Sequence, residues 1–138
     1  MLVFEDLLLY WKRFWQKKKS HAAYYGELGE LYARRYLRKQ KYRIITHNWK
    51  HKSHEIDIVA LDRDVLVFVE VKTRQCDAIK SGYYEVDKQK KQALLIAIAV
   101  YKKRLKKKPN HVRFDIIEIQ MKPDSTCNLF HYQNADLR

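Results

Sequence analysis

The sequence predicts a single α/β domain with an N-terminal helical extension, and three observations carry that expectation. Runs rich in β-branched and aromatic residues, such as LVFVEVKTR at 66–74 and HEIDIVAL at 54–61, have the composition and two-residue alternation of strands. Stretches before and after them repeat apolar residues every three or four positions, as amphipathic helices do. No repeat or low-complexity linker divides these segments, and 138 residues of which 46% are hydrophobic suffice for one core.

Phe4, Leu7, Leu8, Trp11 and Trp15 recur at helical spacing, which predicts an amphipathic helix over residues 3–18. Lys17, Lys18 and Lys19 suit its C-terminal dipole. Residues 1–20 form the extension and 21–138 the domain. Ser20 is the expected N-cap of a second helix reaching Lys39. On that helix Gly26, Glu30, Ala33 and Leu37 share a stripe, so small residues would let it lie close to a sheet with Glu30 in the contact face. Glu27 lies about 60° away and points less directly there. Tyr25, Leu28, Tyr32 and Tyr36 form a second stripe, for which the N-terminal helix is the expected cover.

Strands are expected at Tyr42–Trp49, His54–Leu61 and Val65–Thr73, the last being the most buried, with a hairpin turn at Asp62–Asp64. Residues 75–84 read as a polar loop. A long helix is expected from Glu85 to about Lys106, ending ahead of Pro109. Val112–Met121 is a further strand, and Leu129–Tyr132 a short edge piece.

Charge narrows the partners. Lys and Arg number 29 against 16 Asp and Glu, a net charge of +13 with His neutral. Such a surplus favours a polyanion, and both nucleic acid and an anionic membrane surface fit. No apolar run reaches the roughly 18 residues of a membrane span, so integral membrane association is not expected. The N-terminus places its charges after its apolar part and carries no small-residue cleavage site, unlike a secretory signal. Cys76 and Cys127 have no metal or disulfide spacing, which suits a reduced, cytoplasmic setting. Trp11, Trp15 and the following lysines also allow residues 1–19 to anchor the chain at a membrane surface.

The placement of acids narrows the chemistry. In the 66–74 run Leu66, Phe68, Glu70 and Lys72 share one face and Val67, Val69 and Val71 the other. In HEIDIVAL, Glu55, Asp57, Val59 and Leu61 share one face and Ile56, Ile58 and Ala60 the other. A hairpin between the two brings Asp57 and Glu70 together, with Lys72 in reach. Two adjacent buried carboxylates repel and tend to hold a proton, and a divalent cation relieves that penalty. Hard oxygen ligands suit Mg²⁺ or Mn²⁺.

GELGE, EIDIVA and FVEVKTR, followed by VDKQKKQALL, resemble the YraN-like family of small bacterial proteins, which are similar to Holliday-junction resolvases and the PD-(D/E)xK nuclease superfamily. The resemblance spans residues 24–120. It implies a restriction-endonuclease-like core, a mixed central β-sheet flanked by helices. By its positions, Asp57 and Glu70 resemble the acidic metal ligands, the Val71 backbone carbonyl a further ligand, Lys72 the motif lysine and Glu30 the helix carboxylate completing the site. Lys90, beside Gln89, matches a basic or amide position on the following helix. Ser53 and His54 stand where the family pattern usually has two glycines.

The implied activity is Mg²⁺-dependent, structure-selective hydrolysis of DNA phosphodiesters, possible at branched DNA. The alternative is a non-catalytic nucleic-acid-binding module with the same fold. Substrate phosphates would meet Arg34, Arg35, Arg38 and Lys39 on the second helix, Arg74 and Lys80 around the motif strand, and Lys88, Lys90 and Lys91. Lys72 suits charge stabilisation better than proton abstraction, because adjacent carboxylates oppose a depressed amine pKa. Among the histidines, only His54 stands beside the acidic strand. Analogy with resolvases adds the expectation of a homodimer.

Overall fold

The computed structural model describes residues 21–75, 87–124 and 126–137. The expected helix over 3–18, and Cys76, Lys80, Gly82 and Glu85, lie outside the described residues. In chain order the elements are α1 (His21–Lys39), β1 (Arg43–His51), β2 (His54–Asp62), β3 (Val65–Gln75), α2 (Lys88–Lys103), β4 (His111–Met121) and β5 (Cys127–Tyr132).

The five strands form one mixed sheet in sequence order, antiparallel except for β3 and β4, which run parallel on either side of α2 in the chain. Neighbours on both edges make β3 interior, and Leu66 to Val71 is buried without a break. That is why the stretch reads as a continuous apolar run. The β2–β3 hairpin closes through Arg63, whose φ of 57° is left-handed, with Asp62 opposite Val65.

The helices cover opposite faces. Leu28, Tyr32, Ala33 and Leu37 of α1 pack with Ile58, Ala60, Val67, Val69, Val71, Ile117 and Ile119. Leu94, Ala97, Ile98 and Tyr101 of α2 pack with Ile56, Val59, Leu66, Phe68, Phe114 and Ile116. The α1 contact turns on Gly29, where a Cβ would overlap Thr73 Oγ1, whereas Gly26 faces open space. The close approach therefore falls one turn later than the Gly26 stripe suggests. The sheet itself covers much of the tyrosine stripe: Leu28 and Tyr32 are buried in the α1 cluster, against which Cys127 and Leu129 of β5 pack. Tyr36 Oη lies 3.2 Å from His131 Nδ1.

Helix α2 begins later than expected because Asp87 caps it, its side chain accepting from Lys90 N at 2.9 Å. It ends before Lys106, where the backbone N–H of Arg104 closes the last turn on Tyr101 and Lys102.

One buried polar cluster ties the C-terminal turn to the sheet. Asp115, fully buried, accepts from Arg113 Nε at 2.8 Å, His131 Nε2 at 2.7 Å and the Asn134 backbone N at 3.0 Å. Arg113 continues to Asp62 at 3.0 Å and Tyr42 Oη at 2.7 Å.

Candidate functional site

The site begins where the β2–β3 ladder stops. Paired residues run from Asp62 and Val65 to Ile58 and Val69. Beyond that point the Val71 backbone N–H donates to Asp57 Oδ2 at 2.8 Å. Strict alternation also fails here, because Ile56 joins the α2-side cluster with Val59 while Ile58 joins the α1-side cluster. The expected pairing of Ile56 with Ile58 on one face is therefore wrong. Asp57 takes the intervening place, bonded to the Val71 N–H and lining a cavity with Asn48, which on β1 adopts a left-handed φ of 52°.

Asp57 and Glu70 are both buried, and their carboxyl groups lie close enough to share a proton. Burial first and the Glu70 charge second push the Asp57 carboxyl up to about 8, against the Val71 N–H that favours its ionised form. Glu70 is held by two amines from different elements: Lys72 Nζ at 3.4 Å and Lys90 Nζ at 3.3 Å both approach Oε1. With both carboxylates ionised, Glu70 Oε2 is buried with no hydrogen-bond partner.

Glu30 reaches that cavity from the α1 side. Burial raises its pKa, the Arg34 charge lowers it, Glu55 raises it, and a side-chain hydrogen bond from Asn48 favours its anion. The cavity has a volume of about 260 Å³ and is lined by Glu27, Glu30, Asn48, Lys50, Glu55, Ile56 and Asp57. Asp57 thus touches both the Glu30 cavity and the Glu70–lysine cluster.

The sequence-predicted residues divide accordingly. Glu30, Asp57, Glu70, Lys72 and Lys90 come together, and Arg34 stands beside Glu30. Lys88 and Lys91 share the first turn of α2 with Lys90. Arg38 and Lys39 are exposed at the end of α1, and Arg35 lies partly buried near Tyr32. Arg74 pairs with the fully buried Glu118, Nε to Oε1 at 3.1 Å. His54 sits at the β1–β2 turn opposite His51.

Sequence reasoning passed over Asn48, Lys50 and Glu118. A carboxylate inside the apolar run IIEIQM was a readable signal for Glu118. The roles of Asn48 and Lys50 depend on the break in alternation, which leaves no sequence mark.

No group of three or more Asp, Glu, His or Cys side chains converges as a metal cage among the described residues. The donor set is a carboxylate pair with an unmatched buried oxygen. That fits a hard divalent cation such as Mg²⁺, which takes one or two carboxylates and leaves its other positions to water and phosphate.

Comparison with known proteins gives one consistent result. Residues 29–119 match the family described as "Uncharacterised protein family UPF0102". A UPF0102 protein of Symbiobacterium thermophilum is 39% identical over 110 residues, covering 80% of this chain and 93% of the relative. One from Caldanaerobacter subterraneus subsp. tengcongensis is 38% identical over 107 residues, covering 78% and 88%. One from Treponema pallidum is 36% identical over 120 residues, covering 86% and 90%.

Proposed function

The chain belongs to the UPF0102 family, the YraN-like group its motifs resemble, and on that premise we propose that it is a Mg²⁺-dependent, structure-selective DNA endonuclease. The supporting observation is the buried Asp57–Glu70 pair, set in a break in the sheet with Lys72 and Lys90 on one side and Glu30 on the other.

Asp57, Glu70 and the Val71 carbonyl would hold Mg²⁺, with Mn²⁺ an acceptable substitute. When bound, the cation supplies charge neutralisation at the phosphate and a more acidic water. Lys72 and Lys90 remain as fixed positive charges over Glu70, placed to hold a phosphate and to stabilise charge developing on it. Glu30 would orient the attacking water through a hydrogen bond, and Asn48 holds Glu30. Arg34 and the α2 lysines would add phosphate contacts that carry no base reading.

A second reading is a nucleic-acid-binding module without catalysis. It is supported by the two lysines, which already balance Glu70 without a cation. Incubation of labelled branched, single-stranded and duplex DNA with Mg²⁺ or Mn²⁺ separates the readings. The endonuclease nicks at least the branched substrate, and Asp57→Ala and Lys72→Ala bind it without cutting. Wild-type protein that binds every substrate and leaves each intact, while a control nuclease cuts them, removes the catalytic reading.

A further inference from the structure

At the edge strand β1, beside the cavity but on the other face of the sheet, two of its side chains and one from the end of α2 form a surface that the proposed chemistry does not use. Asn48 and Lys50 line the cavity. Trp49 points the other way and packs on the α2-side cluster. Its ring meets Tyr101 edge-on at 5.4 Å, and Tyr101 meets the buried Phe68 in the same manner at 5.5 Å. The indole is thereby fixed to the core while remaining only partly buried. Two residues on, the His51 ring lies within 19° of parallel to it, with centroids 6.2 Å apart.

Arg104, the C-cap of α2, completes the group. Its guanidinium stands 5.6 Å over the Trp49 ring and donates from Nη2 to His51 Nδ1 at 2.7 Å. An imidazole that accepts an arginine N–H on Nδ1 is neutral. Partial desolvation and the nearby Arg104, Lys52 and His54 charges lower the His51 pKa accordingly. Arg104 is exposed, and no carboxylate pairs with it among the described residues. A cation set over one aromatic ring, bonded to the nitrogen of a second and paired with no carboxylate among the described residues is an open position for a phosphate. The partly exposed indole and imidazole beside it suit a flat π system.

We propose that Trp49, His51 and Arg104 form a subsite for one unpaired nucleotide, its base stacking on the aromatic pair and its phosphate meeting Arg104. This rests on the nucleic-acid reading of the central site and narrows it. A base can reach such a surface only when it is out of a duplex stack, so the substrate would carry a single-stranded or flipped segment beside the scissile region. The strand that passes the Asp57 cavity would continue across the β1 edge toward the α2 C-terminus, where Lys103, Lys106, Lys107 and Lys108 are exposed.

The test uses the full chain with Trp11→Phe and Trp15→Phe, which leaves Trp49 as the sole tryptophan. Titration with a thymidine oligonucleotide in EDTA should quench its emission, and a duplex of equal length should quench it far less. His51→Ala and Arg104→Ala in that background should each weaken single-strand binding by about tenfold. Arg104→Ala should also lower the salt slope of binding by about one. Arg104 is exposed and His51 partly so, and Trp49→Phe in the otherwise unchanged chain, read by filter binding and expected to weaken single-strand binding, gives a third variant if either substitution disturbs folding. Oligonucleotide binding with unchanged Trp49 emission, or with unchanged affinity in both variants, overturns the subsite and leaves the endonuclease reading standing. Absence of binding to any nucleic acid removes both.

Discussion

At the scale of single residues, the Asp57 carboxyl carries the conflict that defines the site. Burial and the Glu70 charge raise its pKa to about 8, while an unfolded chain ionises near the ordinary value of about 3.9. The folded protein therefore binds more protons than the unfolded chain between those values. Stability is largest below the unfolded pKa and is lost as pH rises toward the folded one. Asp57→Asn keeps an oxygen for the Val71 N–H and cannot ionise. In EDTA, its stability relative to wild type should grow by about 1 kcal/mol per pH unit between about pH 4 and pH 8, then level off. Urea melts across that range check this, and a flat difference would show that the pair is not held in contact. Mg²⁺ should raise the wild-type melting temperature at pH 8 and leave that of Asp57→Asn nearly unchanged.

At the scale of elements, the way α1 meets the sheet gives two opposite expectations for one kind of change. Gly29→Ala drives a methyl group into Thr73 Oγ1 and should cost about 1–3 kcal/mol. Gly26→Ala enters open space and should stabilise the helix by about 0.5–1 kcal/mol. Thermal melts of the two variants, with Gly29→Ala repeated on Thr73→Ala, check the assignment, since the second change removes the clash. The Asp115 cluster gives another expectation. Burial alone would raise the Asp115 pKa, but bonds from His131, Arg113 and the Asn134 N–H hold it below the usual range. Its contribution is present above the unfolded pKa and is lost as pH falls through the folded one. Asp115→Asn should therefore cost about 3–5 kcal/mol near neutral pH. The loss should shrink below about pH 4, as paired melts would show. The existence and order of the helices and strands were readable in the sequence because periodicity is local, whereas their ends moved by up to three residues, as at α2, where Asp87 sets the start. The helix contact at Gly29 in place of Gly26, and the cluster joining Tyr42, Asp62, Arg113, Asp115 and His131, were not readable, because they depend on how distant segments meet.

For the whole molecule, the apolar run of β3 revealed the sheet's interior strand, and the short hairpin brought Asp57 near Glu70. The sequence did not show that β2 breaks its alternation at Asp57, so the cavity with Asn48 and Lys50 was hidden. A surplus of 13 positive charges predicts nucleic-acid affinity that falls steeply with salt. Filter binding across sodium chloride concentrations should give a log–log slope of several units, and a slope near zero would show that the charge serves another purpose. The register shift between Ile44 and Thr46 has a separate effect at the outer margin of β1, which no further strand pairs among the described residues. The kink there and the charged flank at Lys50 and Lys52 make poor templates for an incoming strand. The folded chain should therefore resist fibril seeding even when concentrated, with thioflavin fluorescence staying at baseline.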